Sequence, residues 1–172
     1  WVKCLAIYPR NELLKDQLSE IYSECRIFDN LILSKGGRKL KIGAFFGGTP
    51  TYYQINNNQK ITGWSKVGSD LKCNFFSCPN SNCDGNLIWK RENIDNKNEV
   101  LNCSDCSQKI NNDEIVLTRD SLKKTPPDII FTTTEMLNQR MSDNNFKHLF
   151  GLRPKAIKSP EFVLLDEVHT YD

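Results

Sequence analysis

Apolar positions gather toward the two ends of the chain and thin out in its middle. Val2–Tyr8 is a nearly continuous apolar run closed by Pro9, which predicts a buried strand. Asn11 can cap a following helix. In that helix Leu13, Leu14, Leu18, Ile21 and Tyr22 recur at helical spacing and form one apolar stripe over about four turns. Leu40–Phe46 predicts a second strand. Gly47-Gly48-Thr49-Pro50 ends it in a loop that permits close backbone approach. After Pro50 the chain turns polar and Asn-rich, so 51–125 reads as an insertion with a small fold of its own, closed by Pro126-Pro127. Asp128–Thr132 then predicts a strand, Thr134 a cap for a helix over Glu135–Met141, and Phe162–Leu165 a fully apolar strand ending in Asp166-Glu167. The outer segments, 1–50 and 126–172, thus read strand–helix–strand twice. That pattern predicts an α/β fold with a parallel sheet and helices on both faces. Such a sheet carries its chemistry at the carboxyl ends of its strands. Pro9-Arg10, Gly47-Gly48, Thr132-Thr133-Thr134 and Asp166-Glu167 all fall there.

The cysteines change the picture of the insertion. Five of the seven lie between Cys73 and Cys106. Cys78 and Cys83 form one candidate knuckle, Cys103 and Cys106 another, with 19 residues between Cys83 and Cys103. Two such turns can bring four thiolates around one zinc ion, the layout of a zinc ribbon, and a closed Cys4 set makes the ion structural. Cys73 lies five residues before Cys78, so Cys73/Cys78 is a competing first pair. Pro79 after the first cysteine and Gly85 two residues after Cys83 favour Cys78/Cys83. The polar insertion has little apolar surface to bury, so metal would supply folding energy. Cys4 and Cys25 read as ordinary buried thiols. Trp64, Phe75, Phe76 and Trp89, interleaved with Lys66, Lys72, Lys90 and Arg91, have two readings. They stack bases and meet phosphates, or they form the ribbon's own core.

Charge and hydropathy exclude some classes. Lys and Arg total 23 and Asp and Glu 21, a net charge of +2, which excludes a polybasic binder held by bulk charge alone. No apolar run approaches the roughly 18–20 residues that cross a bilayer, and the first ten residues lack a signal-peptide layout. The expectation is a cytoplasmic protein with no membrane partner.

Leu164-Leu165-Asp166-Glu167-Val168-His169 is the sharpest catalytic signal. An aspartate at the end of a parallel strand can hold Mg2+ beside nucleotide phosphates, and a neighbouring carboxylate can orient or deprotonate water. An acidic pair that merely starts a loop would look the same.

Four segments in order resemble the superfamily 2 helicases of the DEAD/DEAH-box type. DEVH at 166–169 resembles motif II, IYPRNELLKDQ at 7–17 motif Ia, FFGGTP at 45–50 the glycine loop that follows it, and DIIFTTTEML at 128–137 motif Ib. The wording of YPRNELLKDQ and TTTEML is closest to bacterial YprA-like helicases and relatives in antiviral (antiphage) defence. The resemblance covers a little over half the chain, in 1–50 and 126–172.

It implies a first RecA-like domain interrupted by a zinc ribbon, and Mg2+ with ATP as cofactor. Asp166 would hold the magnesium ion, Glu167 would be the catalytic base, and His169 would couple the site to a second RecA-like domain. Arg10, Gly48 and Thr133 or Thr134 would touch the sugar-phosphate backbone of a nucleic acid, DNA in preference to RNA. The implied activity is ATP hydrolysis coupled to movement along that strand. No GxxxxGK[ST] phosphate loop occurs in the sequence. The expectation is therefore a piece of a larger motor, inactive in isolation. The alternative is a zinc-ribbon adaptor for nucleic acid or protein on a non-hydrolysing RecA-like scaffold.

Overall fold

The computed structural model describes residues 1–53, 63–152 and 158–167. In chain order the first elements are β1 (Cys4–Tyr8), α1 (Asn11–Ile27), α2 (Asp29–Ser34) and β2 (Ile42–Phe45). There follow β3 (Trp64–Val67), β4 (Asp70–Ser77), β5 (Asn86–Trp89), α3 (Arg91–Asp95), β6 (Leu101–Cys103) and β7 (Lys109–Ile110). The last are β8 (Ile115–Val116), α4 (Arg119–Lys124), β9 (Ile129–Thr133), α5 (Thr134–Arg140), a 3-10 turn (Lys147–Phe150) and β10 (Phe162–Leu165).

The strands form two five-stranded sheets. The first is parallel, in the order β10-β1-β9-β2-β8; the second is an antiparallel meander, β3-β4-β5-β6-β7. The mixed α/β architecture expected from the strand–helix alternation is present, with α1 on one face of the parallel sheet and α4 and α5 on the other. Alternation along each strand sorts the core. Ala6, Tyr8, Ile42, Ala44 and Phe131 face α1; Leu5, Ile7, Phe45, Val116 and Ile130 face Leu122 of α4, Met136 of α5 and the 3-10 turn.

The helix α1 is the shared layer. Leu14, Leu18, Tyr22 and Cys25 are its buried stripe. Seventeen residues give it room for two contact faces, and both sheets use them. Tyr22 meets Phe76 of β4 edge to face at 5.1 Å, and Ser19 Oγ accepts from Ser77 N–H at 3.0 Å. One continuous core therefore runs from the parallel sheet through α1 into the antiparallel sheet. The insertion is smaller than 51–125: Ile115–Val116 joins the parallel sheet beside β2, and Leu122 of α4 packs beneath that sheet.

Three local expectations are corrected. Arg10, not Asn11, is the N-cap of α1, and no side chain caps that end. Thr133, not Thr134, caps α5, accepting from Met136 N–H. Phe162–Leu165 is not buried: its residues are 50–63% exposed, because among the described residues β10 pairs with β1 alone and no helix covers it.

Buried carboxylates tie the loops together. Asp128 accepts from Arg38 at 2.6 and 2.9 Å, from Lys41 N–H at 2.9 Å and from Lys3. Glu114 accepts from Tyr22, Lys39 and Asn111 N–H. Glu99, from the β5–β6 connection, accepts from Leu117 N–H, Thr118 N–H and Oγ1, and Tyr53 Oη. Glu99 is thus a polar pin from the antiparallel sheet into the β8–α4 link. Among the described residues no helix is long and apolar enough to cross a membrane.

Candidate metal centre and the carboxyl edge of the parallel sheet

The antiparallel meander exists to hold two turns against each other. β4 ends at Ser77 and Cys78 follows; Cys83 leads into β5. β6 ends at Cys103, and Cys106 leads into β7. Each turn is closed by its own backbone. Cys83 N–H donates to Asn80 O at 3.0 Å and Cys103 N–H to Gln108 O at 2.9 Å, while Ser104 N–H ties the second turn to Asn86 O of β5 at 2.8 Å. Gly85 N–H and Asp105 N–H point at sulfur, on Cys83 at 3.3 Å and Cys103 at 3.5 Å. Glycine is required at 85. A Cβ there would lie 2.5 Å from Cys103 Sγ and 2.9 Å from Asp105 Cβ.

The four thiols of Cys78, Cys83, Cys103 and Cys106 converge, with all sulfurs within 4.8 Å of one another. Cys78–Cys106 and Cys83–Cys103 are each 3.5 Å apart. A tetrahedral ion with Zn–S bonds of about 2.3 Å sets its sulfurs about 3.8 Å apart, so the cluster can hold a metal ion such as zinc. Cys73, the competing ligand, is buried outside the cluster, and that burial pushes its thiol up to about 12. Within the cluster the thiols differ. Burial raises Cys78 to about 12. Burial also pushes Cys103 up, but the N–H groups of Asp105 and Cys106 and the Cys83 thiol outweigh it and bring Cys103 down to about 7. Cys4 and Cys25 lie elsewhere, both raised by burial, with Cys4 only partly covered.

The aromatic residues of the insertion are core, not a stacking platform. Trp64, Phe75, Phe76 and Trp89 are buried. Trp64 packs on Phe75 at 5.2 Å and on Trp89 at 5.4 Å, and Phe75 meets Phe46 of the parallel-sheet unit at 5.2 Å. The bases of a nucleic acid have no access to them.

The register of the parallel sheet assembles the other candidate residues. Ile7 lies opposite Leu165 and Thr132, and Tyr8 opposite Thr133, so Asp166 follows β10 at the level of Tyr8. Asp166 N–H donates to Ile7 O at 3.1 Å, and its carboxylate is partly exposed with no partner among the described residues. Glu167 is exposed and takes φ +46°, the left-handed region that costs a side-chain-bearing residue about 1 kcal/mol or more. Arg10 is exposed at the end of β1. Thr133 is buried and spends its hydroxyl on the α5 cap. Thr134 Oγ1 is buried without a partner among the described residues. Gly48 is buried and packs against Gly63, whose added Cβ would lie 3.4 Å from Gly48 Cα, while Gly47 forms the exposed apex of that loop. His169 lies outside the described residues.

Arg119 belongs to this edge although nothing in the sequence marks it. It follows β8, and its guanidinium donates from Nε to Thr49 O at 2.9 Å and from Nη2 to Phe46 O at 3.2 Å. Thr49 Oγ1 closes the same turn, accepting from Phe46 N–H at 3.0 Å and donating to Ala44 O at 2.6 Å. No family model, no curated protein and no solved structure matches the chain.

Proposed function

We propose that this chain is part of an ATP-driven nucleic-acid motor of the helicase or translocase type, with a zinc-stabilised sheet buttressing the nucleic-acid edge. The observation that carries the reading is the strand order β10-β1-β9-β2. It sets side by side four segments that are scattered in sequence, each of which resembles a helicase motif. Their carboxyl ends bear Asp166, Arg10, Thr133-Thr134 and Gly47-Gly48 in one spatial row. In this reading Asp166, whose carboxylate makes no competing hydrogen bond among the described residues, would hold the Mg2+ of MgATP, and Glu167 would take a proton from water. Arg10 and the exposed apex at Gly47 meet the sugar-phosphate backbone without reading bases. The Cys4 set holds zinc as a structural ion, because four protein ligands leave no position open for substrate.

The test is ATP hydrolysis by the full natural chain that carries these residues, with and without single-stranded DNA or RNA. Stimulation by either supports the motor and names its track. Glu167→Gln is expected to abolish turnover while ATP still binds, and unchanged turnover refutes the base assignment. Metal analysis is expected to find about one zinc per chain, lost in Cys103→Ser. A second reading is favoured by the cysteine cluster, whose four ligand atoms already converge: an adaptor that binds a partner and hydrolyses nothing. Absence of hydrolysis under every condition selects it.

A further inference from the structure

Among the described residues Arg119 is a half-buried cation without an anion. Among the described residues no carboxylate pairs with it; Asp120 beside it is paired to Lys123 and Lys124, and Asp143 to Arg140. Its guanidinium stands 5.7 Å from the Phe45 ring. Arg140 stands 5.7 Å from Phe146, and the two phenylalanine rings are 5.0 Å apart. Burial, and after it the second cation, disfavour the charge on Arg119. A buried charge is normally paired. Here only carbonyl oxygens meet it, and they take Nε and Nη2, leaving Nη1 without a hydrogen bond among the described residues.

The position is fixed by packing. Gly43 in β2 admits α4 so closely that a Cβ would lie 2.8 Å from Leu122 Cδ2. Arg119 N–H donates to Pro50 O at 2.8 Å, so backbone and side chain together clamp the turn that carries Gly47 and Gly48.

We infer that Arg119 is a further nucleic-acid-binding residue: it clamps the Phe46–Thr49 turn through two carbonyls and presents its remaining donors to a backbone phosphate at the β8 end of the row. The inference rests on the nucleic-acid reading of that edge. It extends the row by one strand, from β10, β1, β9 and β2 to β8. The phosphate supplies the anion that the described residues do not, and the contact is independent of base sequence.

The experiment measures binding of fluorescein-labelled dT20 and U20 to the zinc-loaded protein between 50 and 300 mM KCl, for wild type, Arg119→Gln and Arg119→Lys. One phosphate contact on a single strand contributes about 0.7 to the slope of log K against log salt, or about fivefold in affinity at 0.1 M salt. Arg119→Gln is expected to lose both. Arg119→Lys is expected to keep the slope while binding more weakly, because an ammonium cannot bridge the two carbonyls as a planar fork does. A Gln variant that binds with the wild-type slope overturns the inference and leaves the nucleic-acid reading standing. A wild-type protein that binds neither oligonucleotide overturns both. The Arg119 Nε–Hε resonance of the wild-type protein needs no substitution. It is expected to shift on saturation with dT20, and an unmoved resonance at saturation refutes the contact.

Discussion

Glu99 offers the sharpest test of how the two sheets are joined. It is 5% exposed, and its two oxygens accept four hydrogen bonds. Oε2 takes Leu117 N–H at 2.9 Å; Oε1 takes Thr118 N–H at 3.1 Å, Thr118 Oγ1 at 2.7 Å and Tyr53 Oη at 3.1 Å. The two hydroxyls have a second partner in Ser121 Oγ, at 3.0 and 2.9 Å. The two backbone amides have none among the described residues, and Leu117 and Thr118 are buried from water. Glu99→Ala therefore strands two amides, at about 1–3 kcal/mol each, for a loss of about 2–6 kcal/mol. Glu99→Gln is milder. Its oxygen serves the three-donor side, its amide nitrogen faces Leu117 N–H, and one stranded amide costs about 1–3 kcal/mol. Against a typical total of about 5–15 kcal/mol, the Ala variant sits near the limit of folding. Urea unfolding of the metal-loaded protein measures the loss, and hydrogen exchange locates it at the Leu117 and Thr118 amides. A Gln variant within about 0.5 kcal/mol of wild type, with both amides still protected, would refute the argument that this carboxylate joins the sheets.

Gly85→Ala is expected to weaken metal binding by at least tenfold in a competition titration with a chelator, because its Cβ would displace Cys103 Sγ; wild-type affinity would remove the steric argument. Leu18→Ala, at a fully buried site in α1, is expected to cost about 2–5 kcal/mol in a single unfolding transition, since α1 serves both sheets. Two separate transitions, only one of them shifted, would contradict the shared core. Acid unfolding follows from Asp128 and Glu114. Burial pushes Asp128 up, but hydrogen bonds from Arg38, Lys3 and Lys41 N–H hold it below the usual carboxylate range. Burial likewise opposes Glu114, and Lys39, Asn111 N–H and Tyr22 outweigh it. A depressed carboxylate stabilises the fold above its unfolded value and loses that contribution as pH falls through its folded value. Asp128→Asn is therefore expected to be less stable at pH 7 and to approach wild type below about pH 4. A stability gap independent of pH would rule out the titration.

Much of the secondary structure was legible because period and punctuation agreed. Pro9, Gly47-Gly48 and Pro126-Pro127 mark the ends of segments whose apolar spacing already distinguishes strand from helix. The Cys4 set was legible for a related reason. Ligand spacing within a knuckle is a local property, and Gly85 is the local signature of the turn. The errors sit where a neighbour distant in sequence decides. Caps shifted by one residue at α1 and α5, because the backbone angle at which a strand yields to a helix depends on the sheet the strand has joined. The sequence places β8 within the insertion, because a two-residue strand carries no period to read. The aromatic residues of the insertion admitted both a binding surface and a core, and only α1 and the Phe46 turn, packed against them, settle the matter as core.

Residues near one another along the chain specify β1, β2, β9 and β10, the helices α1 and α5 and the cysteine spacing within each knuckle. Contacts between distant segments make α1 shared by two sheets, pin one sheet to the other through Glu99 and close the glycine turn with Arg119. Each of those depends on partners 18 to 73 residues away. Hydrophobic periodicity says which face of an element is buried, but not against what, and a buried charge shows its purpose only when the groups around it are in place.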